Sequence, residues 1–232
     1  MYCTWAAAPT IVGNVIRWNR AGSGGGIFCQ RSPARIRDNQ IYWNFALGNG
    51  GGINCNDHCF ALIVNNLVFD NVSTFKGGGL YSNLCSPLIV NCTFVGNHAV
   101  YGGGILAQYD SLLVIHNTIL WDDSATSAPE IQVGLVASDG SQAILSHCVV
   151  DGGLASILVQ ASSVLNWGEG MGVSDPLFVD LLGRDLHLRP RSPCRDAGVY
   201  VLLPCEDFEG DPRVMGAAVD IGADELLVPA GG

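Results

Sequence analysis

Ile36-Arg37-Asp38-Asn39-Gln40-Ile41-Tyr42-Trp43-Asn44, followed by Gly50-Gly51-Gly52-Ile53, is a unit that the chain repeats. Glycine triplets stand at 24–26, 50–52, 77–79 and 102–104, at intervals of 26, 27 and 25 residues, and each is followed by Ile27, Ile53, Leu80 or Ile105. Aligned on this period, Ile11, Ile36, Ile63, Ile89, Val114 and Leu145 form one aliphatic column. Ile16, Ile41, Val68, Phe94, Ile119 and Val150 form a second. Asn14, Asn39, Asn66, Cys92, Asn117 and Cys148 form a polar or thiol column. Asn19, Asn44, Asn71, Asn97 and Asp122 form the last, and Gly153 closes it.

The apolar runs between these markers are too short for helices, and Asn and Gly punctuate them. Neither leucine-rich nor helical repeat patterns occur. A unit of this length cannot bury its apolar side chains alone, whereas stacked units share a continuous core. The reading is an all-β chain: a single-stranded, right-handed parallel β-helix (solenoid) of about 6–7 coils, ~25 residues each, with coils spaced at ~4.8 Å. Asn and Gly suit the corners because they tolerate left-handed backbone. Stacked Asn amides can hydrogen-bond along the column. The coils span 1–174, with a longer excursion at 124–146, and residues 175–232 are expected to cap the same domain.

Composition narrows the partners. The 232 residues carry a net charge of −10 and a single lysine, Lys76, so no basic face exists for nucleic acid. No apolar stretch reaches the ~18 residues of a membrane helix. No signal peptide follows Met1. Met1-Tyr2-Cys3 aligns with Ile27-Phe28-Cys29, so the sequence reads as starting inside a coil, with any native leader outside this fragment. The open edge of that first coil is an expected surface for self-association.

The repeat columns resemble the right-handed parallel β-helix of the pectate-lyase-like fold. A second resemblance lies in Asp175-Pro176-Leu177-Phe178, Asp185-Leu186-His187-Leu188, Ser192-Pro193-Cys194-Arg195-Asp196-Ala197-Gly198 and Asp207-Phe208-Glu209-Gly210-Asp211-Pro212-Arg213. With Val219-Asp220-Ile221-Gly222-Ala223-Asp224-Glu225, these look like the end region of choice-of-anchor Q domain proteins, except that Ala217-Ala218 stand where glycine is expected. The resemblance implies a segment closing a β-helix on extracellular or surface-attached bacterial proteins. Within that segment the acids and Arg213 read as structural, buried pairs.

Three residue sets carry chemistry. Trp18, Trp43 and Trp121 share one repeat position and Tyr42 the neighbouring one, a row of rings on which sugars would stack if it is exposed. Asp122, Asp123 and Asp151 lie on adjacent coils and are the candidate catalytic acids of a glycoside hydrolase or lyase, or the oxygen ligands of a Ca²⁺ ion. His116 and His147 align as a further column. Cys3, Cys29 and Cys55 should stack as a thiol ladder, while Cys59 with Cys85 and Cys194 with Cys205 are the disulfide candidates. Two functions compete: an extracellular domain that binds or acts on polysaccharide or cell-surface glycan, and a non-catalytic adhesin-type structural module.

Overall fold

The computed structural model describes residues 1–4, 8–201 and 205–226. Within them the chain winds as a parallel β-solenoid of about six turns, and its short strands stack into four parallel sheets. Sheet A has seven strands, running from Tyr2–Thr4 through Ile27–Gln30 to Ile157–Val159. Sheet B has seven, from Thr10–Val12 to Val164–Trp167. Sheet C has six, from Val15–Arg17 to Val149–Val150, and sheet D five, from Arg20–Ala21 to Ser124–Ser127. The single helical element among the described residues is a 3₁₀ turn at Gly153–Ser156.

Alternation along the strands sends one residue of each column inward. Ile36, Ile63 and Ile89 of sheet B and Ile41, Val68 and Phe94 of sheet C are fully buried and fill the lumen. The chain turns from sheet B to sheet C, and from C to D, through one left-handed residue each time. Asp38, Asn65, Asn91, Asn117 and His147 occupy the first corner. Trp18, Trp43, Asp70, Gly96 and Asp122 occupy the second, with φ between 52° and 65°. The residue after each corner points inward and builds a ladder. Asn39 Nδ2 donates to Asn66 Oδ1 at 3.0 Å in the first. In the second, Asn44 donates to Asn71 and Asn71 to Asn97, each at 3.0 Å.

The glycine triplets follow from that ladder. A Cβ on Gly52 would lie 3.1 Å from Asn71 Nδ2, and one on Gly79 would lie 3.2 Å from Asn97 Cγ. The third glycine is therefore the space that the next coil's asparagine occupies.

The fifth coil differs from the expected alignment by one residue. Ile115, not Val114, pairs with Ile89, and Leu120, not Ile119, pairs with Phe94. Thr118 Oγ1, not Asn117, accepts from Cys92 N, and Asp123, not Asp122, accepts from Asn97. The corner before Gly102 is one residue shorter than the one before Gly77, since Lys76 bridges Tyr101 at that point. The lost residue is regained after Gln108, so counting from the glycines carries the error into the next block. A one-residue slip reverses which side chains face the core.

The C-terminal segment also departs from the expected end cap. After an antiparallel hairpin of Phe178–Asp180 and Asp185–Leu188, it runs back along the outer face of sheet C. Leu67, Phe69, Val95, Ile119 and Val149 of that face pack against Phe178, Leu186, Leu188, Cys194 and Ile221. An outward apolar stripe on sheet C demands cover, and this segment supplies it. Ala223 N donates to Thr93 Oγ1 at 3.0 Å, and Asn117 Nδ2 to Val199 O at 2.7 Å. Inside the segment, buried Arg213 donates to Gly222 O at 2.8 Å and Ala223 O at 3.1 Å. Asp207 Oδ1 accepts from the N–H groups of Glu209, Gly210 and Asp211, each at 2.9 Å. These polar residues fix the segment's path, as a structural reading requires.

Candidate functional site

The second corner column carries an aromatic and charged groove. Left-handed backbone at Trp18 and Trp43 turns both rings outward, where they are 68 % and 40 % exposed. Their centroids are 4.6 Å apart and their planes tilted by 38°. Beside them Tyr42 stacks on Phe69 at 4.5 Å and meets Trp43 edge-on at 4.9 Å. The Arg17 guanidinium donates to Tyr42 Oη at 3.2 Å, and that of Arg20 lies 4.9 Å from the Phe45 ring centroid. Two hollows flank Trp43. One, of about 340 Å³, is lined by Trp18, Arg20, Phe45 and Asp70 among others. The second, of about 420 Å³, is lined by Tyr42, Phe69, Asp70, Leu182 and Arg184 among others.

The charged wall has two sources. Asp70 comes from the corner column, and Arg184 comes from the hairpin turn of the C-terminal segment. Arg184 Nε and Nη2 grip the two Asp70 carboxylate oxygens at 2.9 and 2.6 Å, and Nη1 donates to Leu181 O at 2.9 Å. Nη1 also lies 3.9 Å from Asp122 Oδ2. Gly96 separates the two acids in the column, and a Cβ there would stand 2.7 Å from Arg184 Nη2. Glycine at this corner is what lets the guanidinium lie across the coils.

Sequence reasoning placed Trp18, Trp43 and Tyr42 together, and they are together. Trp121 is not with them. It pairs with Val95, in the column of Tyr42 and Phe69, and is half-buried against the C-terminal segment. Asp70, Phe45, Arg20 and Arg184 escaped notice. The first three break the repeat consensus without forming a motif, and Arg184 arrives from 114 residues away.

The three acids do not converge. Asp122 is exposed on the corner beside Arg184. Asp123 is buried inside the solenoid as the second ladder's fifth member, and its Oδ1 accepts from Asn97 N at 2.6 Å and Asn97 Nδ2 at 2.9 Å. Asp151 follows the strand Val149–Val150 in register after Leu120, and its N–H donates to Leu120 O at 2.9 Å. Burial pushes the Asp123 carboxyl up to about 7. Beside it stands Glu130, which is buried and whose Oε1 accepts from Asp123 N at 3.3 Å. Burial, and then the charge of Asp123, raise Glu130 strongly. Asp123 Oδ2 and Glu130 Oε2 both lack a hydrogen-bond partner among the described residues. Among the described residues these acids form no cluster of three ligand atoms, so the expected Ca²⁺ has no shared oxygen set there.

The histidines do not align either: His116 Nδ1 pairs with Ser146 Oγ at 2.6 Å, while His147 takes the left-handed corner. All nine cysteines are free, eight of them buried. Cys3, Cys29 and Cys55 do stack in register. Cys59 N donates to Cys85 Sγ at 3.1 Å without a bridge, and Cys59 Sγ donates to Ser32 O at 2.9 Å. Cys194 is sealed in the core beneath the C-terminal segment while Cys205 is exposed, so that expected pair is not made.

Residues 1–167 match the family model described as the right handed beta helix region. No curated protein and no solved structure matches the chain.

Proposed function

The chain belongs to the right-handed β-helix family, and on that premise we propose that it is a glycan-binding module acting outside the cell or at its surface, with the Trp18–Trp43 groove as its binding face. The observation that carries this reading is the pair of exposed indoles, tilted against each other, bordered by the Asp70–Arg184 ion pair. Exposed aromatic faces offer apolar area at little entropic cost, and polar groups beside them orient hydroxyl-rich ligands. The groove's Arg184 is already paired and its Arg20 stacked, and the chain carries a net charge of −10. A neutral polysaccharide therefore suits it better than a polyanion.

Binding is favoured over hydrolysis because the candidate acids are divided between the surface and the lumen. Asp122 faces Arg184, whereas Asp123 is committed to the ladder. The buried Asp207–Arg213 network supports taking residues 175–226 as a segment of the choice-of-anchor Q type.

Affinity electrophoresis against a panel of neutral and acidic polysaccharides tests the proposal. Retardation by a neutral polymer, weakened at least tenfold in Trp18→Ala and Trp43→Ala, is expected. Release of reducing ends would replace binding with hydrolysis, and absence of retardation throughout would leave the adhesin-type structural module.

A further inference from the structure

Away from the aromatic groove, the C-terminal segment brings together one imidazole and two carboxylates from three separate stretches of chain. His187 lies on the strand Asp185–Leu188, Glu209 in the loop after Asp207, and Asp224 in the turn following Ile221. One ligand atom from each lies within 4.8 Å of the other two. We propose that His187 Nε2, Glu209 and Asp224 bind a single divalent transition-metal ion, of which Zn²⁺ is the natural probe.

Each ligand is already positioned. His187 Nδ1 is held at 2.5 Å by Asp185 Oδ1, which leaves Nε2 facing Glu209 Oε2 at 3.3 Å. A carboxylate on the far nitrogen is the arrangement that orients a metal-bound histidine and raises its basicity. The Glu209 loop is fixed by the three N–H groups that Asp207 Oδ1 accepts. Asp224 is only 5 % exposed, and among the described residues it accepts one hydrogen bond, from Leu188 N to Oδ2 at 3.2 Å. Its second oxygen is left without one.

Charge favours a cation here. Asp185, Glu209 and Asp224 surround one imidazole, and Asp207 adds its charge nearby. The neighbouring cation, Arg213, is spent on backbone carbonyls and lies near Glu225. Burial alone would lower the His187 pKa, but the surrounding acids outweigh it and raise it. A metal ion would displace the Nε2 proton and neutralise this excess. One nitrogen with two carboxylates supplies three ligands and leaves a position open, and the imidazole favours a transition metal over Ca²⁺, which prefers oxygen alone. His187 and Glu209 side chains are 43 % and 45 % exposed, which gives the ion a path in.

The full chain, treated with EDTA, dialysed and carrying Cys205→Ser to remove the exposed thiol, is titrated with ZnCl₂ by calorimetry. One equivalent should bind, with proton release. Glu209→Gln and His187→Gln should each weaken binding at least tenfold, and Asp185→Asn should weaken it less. Glu209 is exposed, so its variant keeps the fold, which the melting curve checks. Substitution with Co²⁺ should give visible bands without thiolate charge transfer. No stoichiometric binding, binding unchanged in Glu209→Gln and His187→Gln, or preference for Ca²⁺ over Zn²⁺ would overturn the proposal.

Discussion

In the second, third and fourth coils the inner ladder is built from one residue type, and in the fifth and sixth it is built from three. Asn44, Asn71 and Asn97 each accept from the asparagine before them and donate to the backbone of the preceding coil, as Asn71 Nδ2 does to Ile41 O at 2.8 Å. Asp123 accepts in the same way but has no N–H to give, so its second oxygen is orphaned. The sixth coil has Gly153 where the next ladder residue belongs. Glu130 stands at the third position of the triplet column, replacing glycine, and its carboxylate accepts from Asp123 N in place of the missing asparagine. The third triplet residue can carry a side chain there because Gly153 has none. The solenoid keeps its geometry across this change by spending ionisable groups where amides would serve neutrally.

The contrast can be broken at several points. The largest loss should come from Asn71→Ala in the regular ladder. It removes bonds to Ile41 O and Asn97 Oδ1 and leaves their partners buried, for a cost of about 3 kcal/mol or more in urea unfolding. Gly104→Ala should follow closely, since its Cβ would lie 2.4 Å from Asp123 Oδ2 and 2.7 Å from Glu130 O. Overpacking of this kind costs ~1–3 kcal/mol in the same assay.

Asp123→Asn should act in the opposite direction. A carboxyl whose folded pKa is raised contributes stability in full below its ordinary value near 4, and loses it as the pH rises through about 7. The variant should therefore be more stable than the parent by about 2 kcal/mol at pH 8, with the gain shrinking towards pH 4. Combined with Glu130→Gln, the effects should fail to add by ~0.5 kcal/mol or more, because the Glu130 carboxyl accepts from Asp123 N and feels the Asp123 charge. The smallest effect concerns thiols. Native protein should react with one equivalent of a thiol reagent, at Cys205, and the other eight cysteines should react only after unfolding.

The irregular coils are also where sequence reading went astray. Up to Asn97 the columns read from spacing coincide with the pairing, because every corner repeats one left-handed position followed by an inward residue, asparagine in each coil except at Cys92. Beyond it, the shortened corner at Tyr101 shifts the count, and Trp121 and Asp122 slide into the wrong columns. The alternation at Leu113, Ile115 and Leu120, all buried, was the signal that would have restored the register. Of the candidate site, the aromatic half was legible, since Trp18 and Trp43 sit one period apart in regular coils. The charged half was not, since no local pattern links Asp70 to Arg184.

The sequence by itself determined the solenoid and its period, because these depend on contacts between residues one coil apart. Tertiary structure alone decided the rest. It laid the C-terminal segment along the side of sheet C rather than over the end, because the outward apolar stripe of Leu67, Phe69, Val95, Ile119 and Val149 had to be covered. It divided Asp122 from Asp123, one facing solvent and one the lumen, because neighbouring residues at a corner point in opposite directions. It also brought His187, Glu209 and Asp224 to one point, a meeting of one strand and two loops that no spacing along the chain encodes.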